Sequence, residues 1–141
     1  MKIFETLYSE IKTILDGVSN VKQVFEAPTS DFTKYPAVVF FPAQMSNAFF
    51  TTADNFREYK FKMFVVVGVD QTNISFAFKT VLSNTCVAIL SAFDTNWKLS
   101  TIDGHRAWIR IDTGNWAVEK TDKGLLAVAE FDLVIKLAVN N

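Results

Sequence analysis

The amino-acid sequence predicts an α+β fold, a mainly antiparallel sheet with two helices packed on one face. Two stretches repeat apolar residues at three- and four-residue steps, the period of a helix buried along one side. Several others alternate with a period of two, as half-buried strands do. Asp103-Gly104 stands between two of these as a hairpin turn. Nothing in the 141 residues reads as a linker, a low-complexity tract or a repeat, so residues 1–141 are taken as one domain.

The first helix rests on Phe4, Leu7, Ile11, Ile14, Leu15 and Val18, with Glu5, Glu10, Lys12 and Asp16 largely off that stripe. Gly17 is its expected stop, in the left-handed cap conformation that glycine tolerates. A short strand at 21–25 and a polar turn at 27–31 follow. The second strand, 37–41, is bracketed by Pro36 and Pro42, neither of which can donate to a ladder. It is apolar on both faces, which suits a central strand or one whose outer face meets another subunit. Residues 43–56 read as a loop or arm carrying Phe49, Phe50 and Phe56 among small polar residues.

The third strand, 59–69, puts Tyr59, Phe61, Met63, Val65, Val67 and Val69 on one face. Its other face begins with Lys60 and Lys62 and turns apolar at Phe64 and Val66. A second helix spans 75–93, with Phe78, Leu82, Cys86, Ile89, Leu90 and Phe93 as its core stripe. A hairpin then joins 97–102 to 105–112. Another joins 116–119 to 125–139 through the polar connector 120–124. Every odd position from 125 to 139 is apolar, with Glu130, Asp132 and Lys136 opposite. At roughly 3.4 Å per residue such a strand is about 50 Å long if straight, so it must bend or project. The predicted order is α-(β)-β-β-α-β-β-β-β.

Composition excludes several classes of function. Fourteen Lys and Arg stand against 15 Asp and Glu, a net charge of −1. A binder that relies on a strongly basic surface to neutralise phosphates is therefore not expected. Half the residues are hydrophobic and mean hydropathy is +0.18, which excludes disorder. One Cys allows neither an intramolecular disulfide framework nor a Cys-based zinc cluster. The N-terminus turns acidic at Glu5 without a long apolar stretch. The longest apolar run, 63–67, is far short of the ~20 residues that span a bilayer. The chain reads as having no secretory or membrane segment and as cytoplasmic where it is made.

No catalytic, cofactor or metal site is expected. The glycines are scattered and match neither phosphate-loop pattern. His105, the one histidine, sits in a turn without further ligands. Cys86 lies on the core stripe of the second helix, where a buried thiol is inert. Asp54 with Glu58, or Asp112 with Glu130, form no sharp acid–base pair and read as solvated charges. Lys60 and Lys62, with Arg57 nearby, read as protection of an edge strand.

The aromatic residues are the informative excess, at 14% of the chain with 14 Phe. Trp97, Trp108 and Trp116 crowd the C-terminal strands, and Phe40, Phe41, Phe49, Phe50 and Phe64 the second and third. One aromatic core accounts for part of this. Cover by identical subunits accounts for surface left over.

With the helix at 3–18, the Tyr35-Pro36-Ala37-Val38-Val39-Phe40-Phe41-Pro42 strand, the long strand 59–69, the second helix and the final polar-tipped hairpin at Lys123-Gly124, the chain resembles the tail terminator (tail completion) proteins of tailed bacteriophages. The resemblance covers nearly the whole chain. It implies a ring, typically of six subunits, at the head-proximal end of the tail, which ends tube polymerisation and docks the head connector. It implies contacts with copies of itself, the tail tube protein and the neck or head connector protein. Genome DNA would pass through the lumen without sequence-specific binding, and no membrane is involved. The location it implies is the virion tail or neck, after assembly in the host cytoplasm. The residues expected at subunit or partner contacts are Phe40, Phe49, Phe50, Phe56, Phe64, Trp116, Lys120, Asp122 and Lys123. The near-neutral charge departs mildly from the acidic lumen common in DNA-conducting rings. A neck or head-completion protein of the same assembly, a small-molecule module with a pocket of Trp97, Trp108 and Trp116, and an adaptor that binds by strand addition are the competing readings.

Overall fold

The computed structural model describes residues 3–29, 31–49, 55–69, 74–121 and 124–139. Helix α1 is Ile3–Asp16, and Leu7, Ile11, Ile14 and Leu15 are its buried side, as the stripe requires. It does not end on a left-handed glycine, because Gly17 has no positive φ. The chain instead tightens: the Gly17 N–H donates to Ile14 C=O at 3.2 Å and the Val18 N–H to Leu15 C=O at 3.0 Å. Such a three-residue closure satisfies the last carbonyls without a special conformation.

Six strands follow: β1 Gln23–Phe25, β2 Ala37–Phe49, β3 Asn55–Val69, β4 Lys98–Ile102, β5 His105–Thr121 and β6 Gly124–Val139. Helix α2, Ile74–Thr95, lies between β3 and β4. The sheet order is β1-β2-β3-β6-β5-β4. The sheet is mixed, since β1 and β2 are parallel and the other four ladders antiparallel. The α+β class and the two helices match the sequence reading, but the element order does not.

Two differences share one cause. The segment 43–49, expected as a loop, continues β2, and the two strands expected at 105–112 and 116–119 are one strand, β5. Each continuation crosses a bulge. Pro42 faces Phe61 but Gln44 already faces Lys60, and Ile111 faces Leu133 while Gly114 faces Phe131. One extra residue reverses which face the following side chains occupy. Read as alternation along the sequence, each bulge looks like the end of a strand. Pro42 is tolerated because β1 covers β2 only at 37–39, so β2 is an edge strand beyond that point.

The inner face of the sheet carries the core. The odd residues of β3 from Tyr59 to Val67 and of β6 from Ala127 to Leu137 meet both helices there. Phe4 stands edge-on to Tyr59 at 5.5 Å, and Tyr8 lies between Phe40 at 5.4 Å and Phe61 at 5.5 Å. Helix α2 is long and apolar enough to cross a membrane by length and composition alone. Here Leu82, Cys86, Ile89 and Phe93 are pressed into the core. Residues 77–82 form a π-helical stretch. Its wider turn shifts the packed face by one residue, so Ala77 is buried and Phe78 only half-buried.

Gly114 follows the β5 bulge because Phe131 fills the space a side chain would need. A Cβ at Gly114 would lie 2.6 and 2.8 Å from two carbons of that ring. Phe131 is itself 5% exposed and faces Met63 across the ladder, so its retreat disturbs the core. Gly114→Ala should destabilise the fold by about 1–3 kcal/mol, the usual cost of overpacking. Urea unfolding followed by circular dichroism measures it, and an unchanged midpoint would show that the ring moves freely.

Candidate interaction surfaces

The sheet outruns the helices that cover it. Beyond the β5 bulge, Trp116 and Val118 point to the inner face yet are 52% and 46% exposed. Residues 112–120 are exposed throughout. At the opposite end, Met45 of β2 faces the same way and is 54% exposed. The β5–β6 and β2–β3 hairpins are thus two arms reaching in opposite directions. Each leaves a strand edge open. β4 covers β5 only near residues 105–108, and β1 covers β2 only at 37–39.

The outer face falls into three zones. At the end beside β1, the segment after β1 folds over the sheet. Phe32 and Phe64 pack on Val66, Leu126 and Val128. Tyr35 lies flat where a Cβ on Gly68 would be, 2.9 Å from the nearest ring carbon. The Tyr35-Pro36 peptide is cis. Phe41 stacks on Phe64 at 5.8 Å beside an open hollow of about 270 Å³. Phe32 and Tyr35 of this chain therefore cover part of the apolar surface that the sequence reading assigned to a neighbouring subunit.

The middle zone is charged and closed on itself. Lys62 holds Asp132 at 2.7 Å and Glu130 at 3.1 Å, and the Thr113 hydroxyl donates to Asp132 at 3.0 Å. Hydrogen bonds to Asp132 and then Glu130 raise the Lys62 pKa, and the bond from Lys62 holds the Asp132 carboxyl below its ordinary range. Edge protection is not the role of Lys62, because β3 lies between β2 and β6 inside the sheet. The far zone is aromatic and basic, built around Phe56, Trp108 and Lys136.

The expected contact residues are scattered over this framework. Phe40 is 0% exposed among Tyr8 and Phe61, because its position in β2 faces the helices; it belongs to the core and not to a subunit contact. Phe64 is half-buried under Phe41. Phe56 is half-buried on the outer face with Lys136 Nζ 4.3 Å from its ring centre. Trp116 is exposed and edge-on to Phe131 at 6.5 Å. Lys120 is exposed near the tip of the β5–β6 arm. The Phe49 backbone ends β2 opposite Asn55. Phe50, Asp122 and Lys123 lie outside the described residues, as does the Phe49 side chain. Trp97 and Trp108 share one hollow, whereas Trp116 is on the other face of the sheet.

Other reactive groups have plain surroundings. Burial pushes the Cys86 thiol up to about 12, which keeps it protonated and unreactive. Among the described residues no group of His, Cys, Asp and Glu is arranged to hold a metal. The sequence reading passed over Asn55, which is 2% exposed and whose side-chain N and O have no hydrogen-bond partner among the described residues.

No protein-family model matches the chain, and no curated protein does. Among solved structures, a chain from a virion of a native gene transfer agent particle is similar. Its TM-score is 0.47 and its identity 14%, over 99% of this chain and 92% of that one. A likeness of that size bears on neither family nor role.

The charged zone gives a pH dependence with a definite sign. Asp132 has a depressed pKa, so its stabilisation is present above the ordinary value of 3.8 and is lost as pH falls through the lowered one. Asp132→Asn should weaken the fold at neutral pH, and that deficit should vanish in strong acid. Urea midpoints of both proteins across that range measure it; a constant deficit would place the effect in packing. Asn55→Leu should stabilise the fold by about 1–3 kcal/mol by removing unsatisfied polar atoms. Thermal unfolding checks that sign.

Proposed function

We propose that this protein is a structural virion protein of a tailed phage, forming a ring at the head-proximal end of the tail. In that position it ends tube polymerisation and docks the head connector. The observation that carries the reading is the pair of open sheet edges on two projecting arms. β2 and β5 are different surfaces on opposite sides of one sheet and run in opposite directions. An antiparallel contact between β5 of one copy and β2 of the next is heterologous, and heterologous contacts close into rings when the rotation per copy divides a full turn.

The open stretches lie at opposite ends of the sheet, so adjoining copies must be staggered along the strands. Closure of strands into a barrel requires such a stagger together with a tilt of the strands. The exposed Trp116, Val118 and Met45 supply apolar anchors at these arms, and Lys120 supplies a polar rim. Chain termination in a tube needs one end that no longer repeats the tube surface. Two unlike arms provide unlike ends. The sequence resemblance to tail terminators points the same way.

Purified particles provide the test. The protein should occur in them in a fixed copy number, in a multiple of six for a hexameric ring, by quantitative mass spectrometry. Val118→Lys with Met45→Lys should leave the monomer folded, since both side chains are exposed, and should prevent incorporation. Absence of the unaltered protein from particles would falsify the reading.

A further inference from the structure

At the far zone of the outer face, β3, β5 and β6 build a shallow open hollow of about 430 Å³. Val134, 1% exposed, forms its floor, and Phe56, Trp97 and Trp108 its walls. Trp97 is 52% exposed, an unusual state for so large an apolar side chain.

The rim is cationic. Lys136 stands over Phe56, and the Arg106 guanidinium lies 5.6 Å from the Trp108 ring centre. Lys98 faces Trp108 across the β4–β5 ladder, and Arg110 lines the wall. Among the described residues, the one carboxylate within ion-pair distance of these four cations is Asp112, 4.0 Å from Arg110. Glu58 faces Lys136 across the ladder without forming an ion pair among the described residues. In the middle zone, by contrast, one lysine holds two carboxylates. The chain as a whole carries −1, so this positive excess is local to the hollow.

We propose that the hollow docks an acidic segment of a partner protein. One bulky apolar side chain of that segment sits on Val134 between Trp97 and Trp108, and flanking carboxylates meet Lys98, Arg106 and Lys136. Buried aromatic anchors ringed by complementary charge are the usual source of interface affinity and of its salt dependence. The chemistry favours a peptide over a nucleic acid. Bases bind by stacking on open aromatic faces, and here cations already stand over Phe56 and Trp108. This inference is independent of the ring reading and holds whatever the copy number.

Fluorescence anisotropy on the intact chain tests it. The probes are a labelled short acidic peptide with one central phenylalanine, its serine counterpart, its counterpart with lysine in place of every acid, and a short oligothymidylate. The acidic phenylalanine peptide should bind saturably and more weakly as salt rises. The serine and lysine peptides should bind about tenfold more weakly or not at all. Trp97→Ala, at an exposed position, and Arg106→Gln with Lys136→Gln should each weaken binding by about tenfold. Circular dichroism reports whether each variant is folded. Equal binding of the serine peptide, or no saturation by the acidic phenylalanine peptide, overturns the proposal. Tighter binding of oligothymidylate overturns it in favour of nucleic acid. Self-association that Trp97→Ala abolishes overturns it in favour of a second copy of this chain.

Discussion

The unbroken ladder between β3 and β6 is the constraint from which the rest of the structure follows. Every residue of β3 from Asn55 to Val69 has a partner in β6, with no bulge. Both strands therefore keep one parity along their full length, and their odd residues from Tyr59 to Val69 and from Leu125 to Val139 form a single apolar face. Helices α1 and α2 cover the middle of that face and bury Tyr59, Phe61, Met63 and Val65 with Leu133 and Ile135. Two strands of about 50 Å are longer than two helices of this size can roof. The parts that outrun the helices become arms. The flanking strands adapt to this rigid pair: β2 and β5 carry the bulges, and in each the parity switches where the strand leaves the roofed centre.

That division explains what could be read from the sequence. The stripe of α1, the faces of β3, the odd-position face of β6 and the Asp103-Gly104 turn obey uninterrupted local periods, and the structure has each of them. Asp103 and Gly104 both adopt positive φ, 53° and 77°, as a tight hairpin turn demands. The continuation of β2 through Pro42 and of β5 through Asp112 was not legible, because a bulge is stabilised by a partner strand distant in sequence. The parallel pairing of β1 with β2 depends likewise on long-range packing. The cover of Val66 and Val128 by Phe32 was hidden for a further reason. Residues 27–31 read as a polar turn, and only the placement of Phe32 on Val66 and of Tyr35 on Gly68 reveals an apolar side just beyond it. Of the contact residues, Phe40 was misread because its strand is apolar on both faces, and parity alone could not say which face the helices would take. The hollow of Trp97, Trp108 and Phe56 joins positions from three strand regions, so the sequence offered the aromatic excess without its grouping.

Charge is distributed over the outer face by the same geometry. Lys62 lies on the central strand β3, opposite Asp132 in the ladder, with Glu130 next along the same face of β6. These groups are about one-third exposed, so the cluster contributes modest stability after solvent screening. Its larger consequence is local neutrality: it separates an apolar zone under Phe32 from a cationic zone around Lys136. Without Glu130 and Asp132, positive charge would run on from Lys136 through Lys60 to Lys62. With them, the cations around the aromatic hollow are set apart from Lys62 by a neutralised cluster.

Open strand edges invite indiscriminate pairing, and the two arms carry devices that limit it. β2 has Pro42 beside its bulge, and polar Gln44 and Ser46 follow. β5 has a bulge at Asp112 and Thr113, then Asn115, Glu119 and Lys120 on its exposed stretch. Bulges, proline and charged residues are the features by which natural edges resist edge-to-edge aggregation. They do not seal the edge. A bulge shifts register by one residue, so a partner strand fits only with a matching irregularity or beyond the bulge. An edge that had to stay solvated for good would be better covered by a helix or shortened to a few residues, as β1 and β4 are. Long edges that are blunted but left uncovered combine resistance to random association with the capacity for one specific partner.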